Sequence, residues 1–155
     1  MTSAEGATFS RTMAARLTPA ELDAHVDGLC VEHGIERLNG GRGGRAFRRG
    51  PAGRRRSCIR IAPVKSQITY AVALHEIGHL VGSGRSGTRL EKEAAAWRWA
   101  LEHFIVELSG ATRRRAGKYL RSYVTWAEQR QHRKTPPRIP PPASSFWLLL
   151  AELEA

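Results

Sequence analysis

Apolar positions along this chain fall into short blocks, and their spacing changes from block to block. Thr18-Pro19-Ala20-Glu21 reads as a reciprocal helix cap with proline at the first helical position. Leu22, Val26, Leu29 and Cys30 follow at helical spacing, and Gly34 suits a helix stop; His25 and His33 fall at the surface or boundary of that helix. Asn39 to Gly53 is rich in Gly and Arg, has no period and reads as a mobile loop. Ser57 to Pro63 alternates as a strand does. Ile59 and Ile61 point one way, Cys58, Arg60 and Ala62 the other, and Pro63 confines the strand to a sheet edge or to its own end.

Helical periodicity dominates the rest of the chain. A helix is predicted from Ile68 to Val81, with Ser66 as cap and Gly82 as C-cap. A glycine-rich turn over 83–88 leads to a second helix from Leu90 to Leu108, whose stripe is Leu90, Ala94, Trp97, Leu101, Phe104 and Leu108. Ala116, Tyr119, Leu120, Tyr123 and Ala127 mark a third amphipathic helix starting near Thr112. Pro136 to Pro142 reads as a flexible polyproline spacer, and Ser145 to Leu153 as a short, very apolar helix that either docks back on the domain, the default, or captures a partner. The expected organisation is a flexible tail over 1–16, one domain over 17–134, a spacer over 135–143 and a C-terminal helix over 144–155. The fold class is α+β, mostly helical, with a small sheet preceding the central helix.

That central helix carries the most specific chemistry. Leu74-His75-Glu76-Ile77-Gly78-His79-Leu80 contains two histidines four apart, which lie on one helical face and can present two imidazoles to one metal ion. From Tyr70 to Gly84 the only charged side chain is Glu76. A lone carboxylate in an apolar helix is costly unless it has a partner or a task. Beside a metal it would take a proton from a bound water, the arrangement by which zincins activate water. Gly78 would allow a neighbouring backbone to approach closely.

An open catalytic site needs a third protein ligand. Arg85 stands where the extended metzincin pattern requires a histidine, and an arginine cannot ligate. The candidates that remain are Glu91, Glu93, Glu102 and His103. At about 100° per residue, Glu93 falls on the flank of the apolar stripe, in line with Trp97, whereas Glu91 projects away from it and His103 points to the opposite side. Glu93 is the expected ligand and Glu91 the alternative. Tyr119 or Tyr123 is a candidate for hydrogen-bonding an oxyanion. The strand before a zincin active helix commonly pairs with the peptide substrate, which would put Arg60 beside it. A structural metal closed by a fourth ligand, such as His103 or Cys58, is the reading least suited to the spacing.

His75-Glu-Ile-Gly-His79 followed by Glu91-x-Glu93-Ala94, with aromatics at Trp97 and Trp99, resembles the ImmA/IrrE-type metallopeptidases over roughly residues 17–108. These are gluzincin-like enzymes of bacteria, phages and mobile elements. The resemblance implies a zincin-like domain holding one Zn2+ per chain, with the third ligand drawn from the Glu-Ala helix. It also implies a protein substrate, such as the transcriptional repressor of a phage or mobile element.

Charge adds a second theme. The net charge is +11. Arg37 to Arg60 holds nine arginines and no acid, and Arg113 to Arg138 holds nine Lys or Arg against the single Glu128. This balance invites nonspecific affinity for nucleic acid, and a basic nucleic-acid-associated regulator on a zincin scaffold is the alternative function. No helix-turn-helix, zinc-ribbon or RNP-type aromatic motif accompanies the charge. Two cysteines make no disulfide framework, there is no apolar run long enough for a membrane, and no apolar signal core opens the chain. The expectation is a cytoplasmic protein with reduced thiols and no membrane partner.

Overall fold

The computed structural model describes residues 16–82 and 87–155. The expected N-terminal tail up to residue 15 and most of the glycine-rich turn, residues 83–86, lie outside the described residues. Five helices and a three-stranded mixed sheet make up the described fold, an α+β architecture.

Helix α1 (Pro19–His33) begins at the expected cap. The Thr18 side chain accepts from the Glu21 N–H and the Glu21 carboxylate accepts from the Thr18 N–H. It ends at Gly34, which takes the left-handed conformation at φ +65°. Leu22, Val26, Leu29 and Cys30 are its buried residues, as the spacing predicts.

Three strands follow: β1 (Ile35–Asn39), β2 (Gly44–Arg49) and β3 (Arg56–Ile61). Their order is β1-β3-β2, with β1 parallel and β2 antiparallel to β3. One expectation is overturned here: the segment read as a mobile loop contains β2. Of the two places left open by Pro63, the structure takes the strand end, since β3 is the central strand. Strand β2 lacks hydrophobic alternation because Gly44 sits directly against α2, where a Cβ would lie 2.8 Å from Glu76 Oε1, while its other face carries Arg45, Phe47 and Arg49. Pro63 lies beyond the end of β3 and so removes no ladder hydrogen bond.

Ile35, Ile59 and Ile61 on the inner face of the sheet join the core with α1 and helix α2 (Gln67–Val81). On the same face Arg37 bonds Asp23 at 2.6 Å and Asp27 at 2.7 Å, tying β1 to α1. Helix α2 is buried on nearly every side, from Tyr70 to Leu80. Ser66 caps it, in a reciprocal arrangement with Thr69. Gly82 ends it in an extended conformation, its N–H bonded to Gly78 O at 2.9 Å, rather than in the left-handed form usual for a glycine cap.

Helix α3 (Arg89–Glu102) is shorter than expected. Chain 103–109 leaves the helix and is fastened to the start of α2. Gln67 donates to Glu107 O at 2.9 Å and accepts from Ser109 N–H at 2.7 Å, and Phe104 packs on Tyr70 with ring centroids 4.8 Å apart. Helices α4 (Gly110–Glu128) and α5 (Ser145–Glu154) complete the fold. Phe146, Leu149, Leu150 and Leu153 of α5 are buried, with α3 and α4 as the helices it packs on. The proline segment is pinned by Gln131 donating to Pro137 O and Trp147 donating to Pro140 O, each at 2.9 Å. No described helix is long and apolar enough to cross a membrane.

Candidate metal centre

Helices α2 and α3 cross with their backbones almost in contact. A Cβ on Gly78 would lie 2.6 Å from Ala96 O, so only glycine fits there. This close approach, suggested by the sequence, brings Glu93 over the two histidines. His75 Nε2 and His79 Nε2 are 3.0 Å apart, and Glu93 Oε2 is 3.1 Å from the first and 3.2 Å from the second. His75 is 7 % and Glu93 8 % exposed.

With the Glu93 carboxyl ionised, as its lowered pKa keeps it, no arrangement of protons on the two imidazoles satisfies all three contacts. Each imidazole nitrogen has one in-plane valence, which donates or accepts but not both. With both nitrogens protonated, two N–H groups face each other across 3.0 Å. With fewer protons, at least one contact sets lone pair against lone pair. A cation at the common point satisfies all three atoms at once. Ligands about 2.0–2.1 Å from a tetrahedral zinc stand roughly 3.3 Å apart, close to the edges of this triangle. The cluster can therefore hold a metal ion.

The protonation energetics follow from the same geometry. Burial alone would raise the Glu93 carboxyl, but hydrogen bonds and charge from His75 and His79 outweigh it and hold the pKa at about 2. Burial also lowers His75, with Glu93 opposing. For His79 the Glu93 carboxylate overcomes burial and raises the pKa. Glu76 lies beside the cluster, 8 % exposed. Burial pushes it up to about 7, with His79 and the Ala46 backbone N–H drawing it down and Glu93 pushing it up.

The other expected residues fall in different places. Glu91 caps α3, accepting from the Thr88 N–H at 2.7 Å, and its carboxylate is outside the triangle. Glu102 is exposed at the end of α3. His103 Nδ1 bonds Trp99 O at 2.8 Å, and Cys58 lies in β3 on the sheet face turned away from α2; neither belongs to the cluster, so among the described residues it has three ligands. Both cysteines are free and buried, and burial raises Cys30 to about 11.

Tyr123 stands by the Glu93 carboxylate. Its own burial and that negative charge push the phenol up to about 12, with Arg89 opposing. The hydroxyl thus supports the third candidate ligand. Tyr119 is 37 % exposed and stacks on Trp97 rather than joining the cluster. Arg60 belongs to the face of β3 turned away from α2, with its guanidinium 5.9 Å from the Phe47 ring centroid.

Since β3 is paired on both sides, no peptide can add to it. The edge beside Glu76 is the side of β2 that no strand pairs with among the described residues, with Gly44 and Ala46 nearest the carboxylate. Sequence periodicity missed this strand. The available signal was positional: positive-φ glycines Gly43 and Gly50 bracket a short run containing an aromatic residue. Periodicity also missed the stack of His75 on the Trp97 indole, with centroids 4.4 Å apart. No protein-family model, curated protein or solved structure matches this chain, so the case for a metal centre rests on the convergence of His75, His79 and Glu93.

Proposed function

We propose that this chain is a zinc-dependent metalloendopeptidase of the zincin type, with His75, His79 and Glu93 as the metal ligands. The observation that carries the reading is the frustrated triangle of three ligand atoms with Glu76 at its side and a free strand edge against Glu76. A zinc ion held by these three residues would supply Lewis-acid polarisation of the scissile carbonyl and acidify the attacking water. Glu76 takes the proton of the attacking water and delivers it to the departing amine. Burial suits that role, because a carboxylate shielded from bulk water holds a proton near neutral pH. Tyr123 keeps Glu93 oriented, and the Trp97 indole fixes the plane of His75. An extended peptide adds as a further strand to the free edge of β2, which sets its scissile bond near the cluster.

The substrate proposed on the family resemblance is a regulatory protein such as the repressor of a phage or mobile element, in the cytoplasm. The chemistry itself is tested with Glu76→Gln, which preserves shape and removes the proton acceptor. The variant is expected to retain one zinc per chain by elemental analysis while losing about 10²–10⁴-fold in the rate of casein cleavage. Cleavage by Glu76→Gln at the wild-type rate would sink the mechanism, and a folded wild type that takes up no zinc would sink the metal assignment.

A further inference from the structure

The outer face of the sheet, opposite α1 and α2, carries a different pattern. Alternation puts Arg45, Phe47 and Arg49 of β2 on it, together with Arg56, Cys58 and Arg60 of β3 and Glu36 and Leu38 of β1. In the antiparallel register Arg45 stands directly opposite Arg60, and Arg49 directly opposite Arg56. Like charges directly opposite each other destabilise a sheet. Only Arg49 is relieved, by Glu36 at 2.6 Å. Among the described residues Arg45, Arg56 and Arg60 have no ion-pair partner, and no described helix covers this face. The guanidiniums of Arg45 and Arg60 converge on one ring, 5.4 and 5.9 Å from the Phe47 centroid.

We propose that this face binds single-stranded nucleic acid, with phosphates on Arg45, Arg56 and Arg60 and a base entering the stack at Phe47. Three arginines without an ion-pair partner among the described residues, on one face of the sheet, call for an anion with more than one negative group. Arginine supplies a planar fork that matches phosphate, and its plane stacks on rings. A sheet face carrying an aromatic, Phe47 on the edge strand β2, offers splayed bases a stacking platform. It offers no protruding helix for the groove of a duplex. The face lies on the side of the sheet away from Glu76, so this inference stands independently of the peptidase reading.

The test uses the full chain and a fluorescein-labelled 20-mer of deoxythymidine, followed by anisotropy at 50 and 200 mM salt. Neutralising three phosphates of a single strand gives a log–log salt slope of about −2, hence about twenty-fold weaker binding at the higher salt. Arg45→Gln/Arg60→Gln leaves one phosphate contact, and the same salt step should then cost only about three-fold. Phe47→Leu keeps the apolar contact, removes the ring and should weaken binding about tenfold. Arg113→Gln/Arg114→Gln/Arg115→Gln, on α4, should bind as wild type does. Because it removes a like-charge pair, Arg45→Gln/Arg60→Gln should melt at or above the wild-type temperature. A lower melting temperature would remove the premise. The proposal also fails if the wild type does not bind at 50 mM salt, if the double variant keeps the wild-type salt slope, or if polyglutamate competes as well as the oligonucleotide. That last result would assign the face to an acidic protein.

Discussion

Gly78→Ala tests the joint between α2 and α3 on which the candidate centre depends. The added Cβ would lie 2.6 Å from Ala96 O, whereas ordinary contact begins at 3.4 Å, a deficit of about 0.8 Å. The obstructing atom is backbone within α3, so no side-chain rotation relieves it. The helices must separate by most of that distance. Glu93 lies one helical turn before Ala96 and moves with it. Metal ligand distances tolerate only about ±0.2 Å, so the triangle opens beyond what one ion can bridge. Overpacking of this kind costs about 1–3 kcal/mol, a fall in melting temperature of roughly 3–10 °C for a chain of this size. The expected outcome is a folded protein with zinc affinity at least about tenfold weaker than wild type, measured by chelator competition and elemental analysis. Wild-type zinc affinity with an unchanged melting temperature would refute the claim that helix proximity builds the site.

Two further substitutions probe the scaffold. Gly28→Ala in α1 meets no atom within 4 Å and lies in a helix interior, so it should stabilise the fold by about 0.5–1 kcal/mol and raise the melting temperature by about 2–3 °C in a circular-dichroism melt. Ending the chain at Pro142 removes the buried Phe146, Leu149, Leu150 and Leu153, each contributing about 1.5–3 kcal/mol, which together approach the whole stability of a domain. The truncated chain should lose its cooperative melt, and a sharp transition near the wild-type temperature would show that α5 is dispensable.

Where the burial pattern is periodic and local, the sequence was legible. The cap at Thr18, the stripe of α1, the buried run of α2 and the docking of α5 all follow from spacing that one element satisfies by itself. The choice of Glu93 over Glu91 as the residue facing the histidines also follows from helical phase, and the structure engages Glu91 as a cap instead. The sheet was not legible for the complementary reason. Strands β1 and β2 are short, and one face of β2 needs a glycine against Glu76 while the other carries arginines, so neither strand shows a hydrophobic period of two. Their existence depends on pairing with β3, a non-local event. The early end of α3 likewise depends on Gln67, some forty residues away in the chain.

The stacking of His75 on Trp97 has a thermodynamic consequence. The imidazole packs at 27° to an indole that is only 3 % exposed and itself stacks with Tyr119, so the ring cannot turn without displacing a packed core residue. Immobilising a free side chain on binding ordinarily costs about 0.5–1.5 kcal/mol. For His75 that entropy is already lost when the chain folds, and an arriving ion meets a ligand with a single orientation. Metal affinity at the proposed centre would therefore be coupled to the order of Trp97 and Tyr119, which lie outside the ligand triangle. Loosening these two rings would weaken metal binding through conformational entropy alone, with every ligand atom still in place.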